Sequence, residues 1–286
     1  MPTSWKTLHT LHPRSWHENK FVYPVLSRRS KGISIGVNLN PDKVCNFDCI
    51  YCQVDRRSEA ETKFVEMDRL LGEVDHLLTL VSSGALFEEE PFASVPPERR
   101  RLNDIAFSGD GEPTTFKNFD EIIAAVAQLK QRHGLEGVKL VLITNASMFH
   151  RPVVERGLEI LDLNNGEIWA KLDAGTDAYY QLVERTKIPF QRILDNLLSA
   201  SRVRPLVIQS LFMRIDGKPP AESEIDVWCD RLREIVSQGG SLKLVQVYTV
   251  ARPPAESNVT SLSLAELEGI AKKVRAMGLP AEVYGE

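Results

Sequence analysis

Three cysteines that lie close together constrain this chain more than any other feature. Cys45, Cys49 and Cys52 fall in the segment VCNFDCIYCQ, with three residues and then two residues between them. A chain that loops around a small inorganic centre presents a side chain every third or fourth residue, so the three thiols can reach one face of such a centre. Asn46 and Asp48 make the loop polar, which favours ligands over core residues.

The number of thiols indicates an iron–sulfur cluster. Proteins usually hold a [4Fe-4S] cluster with four cysteine thiolates, and this loop supplies three. One iron would then have no protein ligand and could bind a substrate or cofactor directly. The alternative is a zinc site, but structural zinc usually takes four ligands from paired motifs. The nearest other candidates are His9, His12 and His17, which lie in a polar segment and are expected to be solvated.

Composition is that of a globular protein. The chain has 286 residues, of which 43% are hydrophobic and 26% charged, enough for one large α/β domain or two small ones. No apolar run approaches the roughly 20 residues of a membrane span, and the amino-terminal segment lacks the apolar core of a signal peptide. We therefore expect a cytoplasmic protein without a membrane span. Three of the four cysteines share one motif, which fits a reducing compartment.

The charge balance gives little support to nucleic-acid binding. The net charge is −4 and the pI about 5.9, so no global basic field attracts a polyanion. A nucleoside or RNA substrate would need local basic residues at the mouth of the active site. The basic clusters near the cysteines are Arg28, Arg29 and Lys31 before them and Arg56 and Arg57 after them.

Strand and helix patterns alternate along the rest of the chain. Apolar residues at three-and-four spacing follow each β-favouring segment, as in amphipathic helices. The predicted strands are 32–40, 104–108, 138–144, 167–173, 206–212 and 242–250. The predicted helices cover 67–81, 122–129, 153–161, 190–198, 225–236 and 263–277. Asn118 and Glu121 are expected to form a capping box before the second helix.

Six strand–helix units predict parallel strands joined by right-handed crossovers. A closed eight-fold barrel needs more units than this. We interpret residues 1–31 as an amino-terminal extension and residues 32–286 as one domain. In barrels of this kind the active site lies at the carboxyl ends of the strands, so these ends are where functional residues are expected.

The second predicted strand ends in FSGDGEPTT. Gly109 and Gly111 let the backbone approach a ligand closely, and Glu112 offers a carboxylate. A tight turn before Pro113 would also explain the glycines. The next predicted strand ends beside Asn145.

The fourth predicted strand places Trp169, Lys171 and Asp173 on one face, because side chains alternate along a strand. This mixture is unlike a plain core, although a structural ion pair between Lys171 and Asp173 is the alternative. Cys229 shares the apolar face of a predicted helix and is expected to be core. Candidates for substrate contacts near the later strand ends are Gln209, Ser210, Arg214, Gln246, Tyr248 and Arg252.

These motifs resemble the radical S-adenosylmethionine (SAM) superfamily. Tyr51 stands just before the last cysteine, as in the family signature, and FSGDGEPT, LITNA and KLDAGT are similar to segments of proteins related to wyosine-base (tRNA imidazoguanosine) synthases. The similarity runs from about Tyr23 to about Leu198. Wyosine enzymes carry an additional amino-terminal cysteine set for a second cluster, and this sequence has no cysteine before Cys45.

The resemblance implies a partial (β/α)6 barrel of the TIM type, with a [4Fe-4S] cluster on the three cysteines and SAM as second cofactor. It implies that SAM is cleaved reductively to a 5′-deoxyadenosyl radical that takes a hydrogen atom from the substrate. The electron would come from a low-potential donor of the flavodoxin or ferredoxin type.

The resemblance also implies which residues contact SAM. In the family the strand-two element holds the SAM amino group, which carries over to Gly111, Glu112 and, with them, Asp110. Asp173 would contact the ribose, and Lys171 would reach the SAM carboxylate or an acidic substrate. The full set of implied cofactor contacts is Tyr51, Gly111, Glu112, Asn145, Lys171 and Asp173.

Two classes of function follow from the sequence. The first is a radical SAM enzyme, an oxidoreductase by class, that acts on a nucleoside or tRNA base, a small metabolite or a protein. The second is a non-enzymatic iron–sulfur or zinc module that senses redox state or passes electrons. The second class predicts no SAM pocket, so the GDGEP and KLDAG elements favour the enzyme.

Overall fold

The computed structural model describes Trp5, Leu8 and residues 16–285. Of the histidines considered as zinc ligands, His9 and His12 lie outside these described residues. His17 is exposed, and its Nε2 atom lies 2.7 Å from the Glu89 carboxylate.

The described chain contains ten strands and seven α-helices. The strands are β1 (Val22–Ser27), β2 (Gly32–Val37), β3 (Leu102–Phe107), β4 (Lys139–Thr144), β5 (Gly166–Lys171), β6 (Leu206–Leu211), β7 (Met213–Ile215), β8 (Leu242–Tyr248), β9 (Val259–Ser261) and β10 (Ala281–Tyr284). The helices are α1 (Met67–Ser83), α2 (Phe119–Arg132), α3 (Pro152–Leu163), α4 (Asp177–Glu184), α5 (Phe190–Val203), α6 (Glu222–Ser237) and α7 (Leu264–Ala276).

Eight strands belong to one sheet, in the order β1-β2-β3-β4-β5-β6-β8-β10. β1 is antiparallel to β2, whereas the pairs β2-β3, β3-β4, β5-β6, β6-β8 and β8-β10 are parallel. The short strands β7 and β9 form a separate antiparallel pair. All six predicted strands are present, so the parallel α/β arrangement is confirmed.

The chain divides into two compact units. The first unit comprises residues 1–44, 59–142 and 152–167, and the second comprises residues 45–58, 143–151 and 168–286. Most of β1 to β4 belongs to the first unit, whereas the cysteine loop and β6 to β10 belong to the second. No helix in the described part of the chain is long and apolar enough to cross a membrane.

Two edge strands were not predicted. β1 pairs along its whole length with β2, although Pro24 interrupts its sequence pattern. Proline lacks the backbone N–H that a central strand needs, but an edge strand tolerates it. β10 spans only four residues at the other edge, which is too short for a periodic pattern to stand out.

The predicted capping box at Asn118 is wrong. Asn118 is the N-cap of α2, but its side chain makes no capping hydrogen bond. Its Nδ2 atom instead donates to the Glu121 carboxylate at 2.6 Å. A complete capping box occurs at the start of α7, where Ser263 and Glu266 each bond the other's backbone N–H.

Arg28 and Arg29 lie in the turn between β1 and β2, at the amino end of β2. The cysteine loop departs after the opposite, carboxyl end of that strand. A nucleic-acid substrate was expected to need basic residues at the carboxyl ends of the strands. Arg28 and Arg29 lie at the opposite end of β2 and do not meet this expectation.

Lys130 is a buried charge that joins three segments of the first unit. Its side chain is 2% exposed, and its Nζ atom donates to the carbonyl oxygens of Val138 at 2.8 Å, Asn164 at 2.7 Å and Glu136 at 3.4 Å. Burial lowers the pKa of Lys130. The three carbonyl groups replace the water that an ammonium group would otherwise bind.

We expect Lys130→Met to lower the free energy of unfolding by about 3 kcal/mol, because it leaves buried carbonyl groups without a donor. The control is Arg132→Met on the same helix, where the side chain is exposed and the change should stay within about 0.5 kcal/mol. Urea unfolding followed by circular dichroism measures both. Equal losses of unfolding free energy in the two variants would show that the hydrogen bonds of Lys130 do not stabilise the protein.

Candidate functional site

The cysteine loop is fixed to the end of helix α4 by backbone hydrogen bonds. Asp48 N donates to Glu184 O at 3.1 Å, and Ile50 N donates to Val183 O at 2.9 Å. On the other side of the loop, Ala255 N donates to Cys52 O at 2.7 Å. The positions of the thiols are therefore set by backbone groups as well as by side chains.

Asn46, next to the first cysteine, holds the loop to the carboxyl end of β4. Its Oδ1 atom accepts from Asn145 Nδ2 at 2.8 Å, and its Nδ2 atom donates to Ser147 Oγ at 2.7 Å. Thr186 Oγ1 donates to the Asn46 carbonyl oxygen at 2.9 Å. Asn145, predicted as a SAM contact, therefore positions the cysteine loop in this structure.

A buried charged group lies beside the loop, and it brings together several predicted residues. Lys171 Nζ lies 2.9 Å from Asp173 Oδ2 and 2.8 Å from Tyr248 Oη. Tyr51 Oη donates to Asp173 Oδ2 at 2.5 Å, and the Lys171 ammonium group lies 4.6 Å from the centre of the Tyr51 ring. Leu211 N donates to the second Asp173 oxygen at 2.7 Å. The ion pair anticipated between Lys171 and Asp173 is thus present.

Electrostatics in this group favours a charged lysine and a protonated tyrosine. Burial alone would lower the pKa of Lys171, but the charges of Asp173, Tyr248 and Glu184 outweigh it and the pKa is raised. Burial and then the Asp173 charge raise the pKa of Tyr51. The group therefore keeps a largely buried cation at neutral pH. The Asp173 carboxylate already has three partners, so a ribose contact would replace one of them.

Glu184 was not predicted, although it touches the cysteine loop directly. It is the last residue of α4, a helix of eight residues between KLDAGT and the helix predicted at 190–198. Cys49 Sγ donates to Glu184 Oε2 at 2.6 Å, and Tyr51 Oη lies 3.2 Å from Glu184 Oε1. Thr176 caps the start of this helix, and the T-D-A-Y-Y-Q-L-V-E pattern was the signal that could have found it.

The same contacts keep Glu184 and Cys49 protonated in the absence of metal. Burial and then the Asp173 charge raise the pKa of Glu184 to about 8. Burial and then the Glu184 charge raise the pKa of Cys49. A metal that binds Cys49 must therefore displace the thiol proton.

The predicted substrate residues Gln209 and Gln246 form a buried pair next to this group. They stand opposite each other on β6 and β8, and Lys171 stands opposite Gln209 on β5. Gln209 Nε2 donates to Gln246 Oε1 at 2.7 Å. With Tyr248 two residues beyond Gln246, four predicted residues lie on one face of three neighbouring strands. Ser210 points the other way and donates to Leu172 O at 2.6 Å.

Other predicted residues have different surroundings. Arg214 lies on β7, where it donates to Gly217 O and pairs with Glu266. Arg252 follows β8, and its carbonyl oxygen accepts from Gln53 Nε2 at 3.2 Å. Cys229 is buried on α6 as expected. The substrate roles of Arg214 and Arg252 stay predictions.

The strand-two element lies in the first unit. A Cβ atom on Gly109 would lie 2.2 Å from Asn38 Oδ1, and one on Gly111 would lie 2.2 Å from Val44 O. Neither position can take a larger side chain without a shift in its neighbours. Glu112 is buried and accepts from Thr114 N at 3.1 Å, which caps the turn that follows. The SAM contacts predicted for Gly111 and Glu112 stay predictions, as does the role of Asp110, which bonds Asn38.

The donor set fits an iron–sulfur cluster better than a single zinc ion. Within the described residues, no three or more His, Cys, Asp and Glu side chains lie close enough together to hold a metal ion. A cubane places its cysteines on separate irons, so it needs thiols around a space. None of Cys45, Cys49 and Cys52 forms a disulfide, and the last two border a polar cavity of about 380 Å³.

Parallel strands with a cysteine loop and a buried charged group at their carboxyl ends are typical of an α/β barrel enzyme. Comparison with protein families identifies the family of barrel enzymes to which the chain belongs. The model of the radical SAM superfamily matches residues 39–216, more than half of the chain, and the chain belongs to this superfamily. The resemblance drawn from the sequence is confirmed, and membership indicates an enzyme of the radical SAM class.

A solved structure of a similar protein supports the same fold. A radical SAM methyltransferase from Sphaerobacter thermophilus has a TM-score of 0.62 and 12% identity, with 92% of this chain and 69% of that chain covered. This similarity confirms the predicted partial barrel. A structure of TYW1 with a lysine-pyruvate adduct bound has a TM-score of 0.49 and 16% identity, covering 96% of this chain and 82% of that chain.

A UPF0026 protein of Helicobacter pylori strain J99 is 24% identical over 234 residues, which cover 80% of this chain. The match spans 66% of that protein's own length. Other curated relatives are matched over as little as 23% of their length.

We expect Lys171→Met to lower the free energy of unfolding by about 3 to 5 kcal/mol, because it leaves the buried Asp173 carboxylate without its cation. The control is Lys187→Met, where the lysine is exposed and the loss should stay within about 0.5 kcal/mol. Urea unfolding of the metal-free protein measures both. A loss for Lys171→Met as small as the control's would mean that the ion pair contributes nothing.

This loss should also depend on pH through Glu184. Between its ordinary value of 4.5 and the folded pKa of about 8, the folded protein holds a proton that the unfolded chain has released, so stability falls as pH rises. Lys171 lowers the pKa of Glu184, and its removal extends this window upward. The two proteins should lose stability in parallel up to about pH 8, so the loss caused by Lys171→Met should be larger near pH 10 than near pH 6. An equal loss at both values would contradict this assignment.

Proposed function

We propose that this protein is a radical SAM enzyme that cleaves S-adenosylmethionine reductively at a [4Fe-4S] cluster held by Cys45, Cys49 and Cys52. The observation that carries the proposal is the position of three thiols outside any disulfide on one fixed loop, directly beside the largely buried Lys171 cation and its polar partners. Superfamily membership supports the same class.

Different residues of the loop would bind the cluster, position its ligands and exclude water. The three thiolates would hold the cluster, and Asn46 with Asn145 keeps the first of them in place. When bound, the cluster and SAM together supply a 5′-deoxyadenosyl radical, chemistry that no side chain provides. Ile50 and Tyr51 pack with Val183, Leu211 and Met213 in an apolar cluster and exclude water from one side of the loop.

Lys171 offers a fixed positive charge to an anionic group. Its Nζ atom is held by Asp173 and Tyr248, and its side chain is 17% exposed. A carboxylate, either that of SAM or that of an acidic substrate, would gain more from such a preorganised cation than from one in water. Gln209 and Gln246 would add hydrogen bonds to a substrate that replaced their mutual contact.

We further propose that the enzyme works in the cytoplasm with a low-potential donor of the flavodoxin or ferredoxin type. The polar strand face formed by Lys171, Gln209, Gln246 and Tyr248 suits a small polar substrate or a nucleoside. A nucleic-acid substrate has less support, because Arg28 and Arg29 stand at the amino end of β2.

The test is anaerobic reconstitution with iron and sulfide, followed by dithionite and SAM. We expect about four irons per chain, as for one cubane cluster, and release of 5′-deoxyadenosine detected by chromatography. Cys49→Ala should lose both, whereas Cys229→Ser, at a buried cysteine outside the loop, should keep both. SAM cleavage by Cys49→Ala would refute the proposal. A cluster that SAM does not perturb would identify an electron-transfer or sensing module instead.

A further inference from the structure

Arg56 follows the cysteine loop in sequence, four residues after Cys52. Its Nη1 atom donates to Phe47 O at 3.2 Å, and its Nη2 atom lies 3.6 Å from Cys52 Sγ, within hydrogen-bond range for sulfur. The guanidinium group thus bridges the segment between the first two cysteines and the third cysteine. Its Nε atom is buried and has no hydrogen-bond partner.

A buried N–H group without a partner is costly, and such groups are few in folded proteins. Arg56 therefore retains an unused donor close to the Cys52 thiol, one of the proposed cluster ligands.

Its neighbour Arg57 lacks these contacts. Arg57 also borders the cavity next to Cys49 and Cys52, but it is exposed, and its contact with the loop is through its backbone N–H to Asp55 Oδ1. The two arginines have the same charge and adjacent positions. They differ in whether the guanidinium group touches a cysteine.

On the basis of the function proposed above, we infer that Arg56 is a positioning residue that holds the ligand thiolates around the cluster and raises its reduction potential. Hydrogen bonds to the cysteine sulfurs and the net charge around a cluster both set its potential. Reduction adds one negative charge to the cluster. A fixed cation at the sulfurs stabilises the reduced form more than the oxidised form and so makes reduction easier.

The experiment compares Arg56→Gln with Arg57→Gln after anaerobic reconstitution, by redox titration followed by electron paramagnetic resonance. Gln keeps a hydrogen-bond donor and removes the charge. We expect Arg56→Gln to lower the equilibrium constant for reduction about tenfold, a shift of about 59 mV to more negative potential for a one-electron couple. Arg57→Gln should leave the potential unchanged.

An unchanged potential in Arg56→Gln, or equal shifts in both variants, would overturn the inference. If Arg56→Gln binds no iron, Arg56→Lys decides, because it keeps the charge. A potential close to that of the wild type would support the inference, and a tenfold loss in the equilibrium constant would overturn it. Failure of the wild type to assemble a cluster would instead refute the proposed function. A SAM-responsive wild-type cluster with an unaltered Arg56→Gln potential would refute the inference alone.

Discussion

The ion pair between Lys171 and Asp173 is the interaction on which the candidate site depends. Two charges can be buried only if each has partners, and here those partners come from three different segments. Tyr51 bonds Asp173 from the cysteine loop, Leu211 bonds it from β6, and Tyr248 bonds Lys171 from β8. The pair therefore ties the loop to strands that are distant in sequence.

The cysteine loop is positioned by backbone bonds to the end of α4 and by the polar contacts of Asn46. Ile50 and Tyr51 anchor it further by packing in an apolar cluster. Protonation of Cys49 beside Glu184 suits the metal-free protein, because the thiol proton has an acceptor 2.6 Å away.

The sequence was most informative where a residue type has few possible structural or chemical roles. Three cysteines at close spacing predicted the loop, and alternation along 167–173 correctly placed Lys171 and Asp173 on one face. The six parallel strands were found because each is a buried run of β-favouring residues. Gln209 and Gln246 were chosen only as polar residues near strand ends, and the strand register shows that they form a pair.

What the sequence could not predict depends on contacts between distant segments. Glu184 stands 135 positions from Cys49, and a glutamate at the end of a short helix has no pattern of its own. Asn118 has the residue type of a helix cap, but the nearby Glu121 carboxylate competes for its amide. Arg56 is one of several arginines, and only the contacts of its guanidinium group with Phe47 and Cys52 in the folded protein distinguish it from Arg57.

The central claim is that three cysteines leave one iron of the cluster open to SAM. Mössbauer spectroscopy of the reconstituted protein, recorded before and after addition of SAM, tests this directly. We predict that SAM changes the signal of one iron among about four and leaves the others as they were. A spectrum that SAM does not alter, with the cluster intact, would contradict the account.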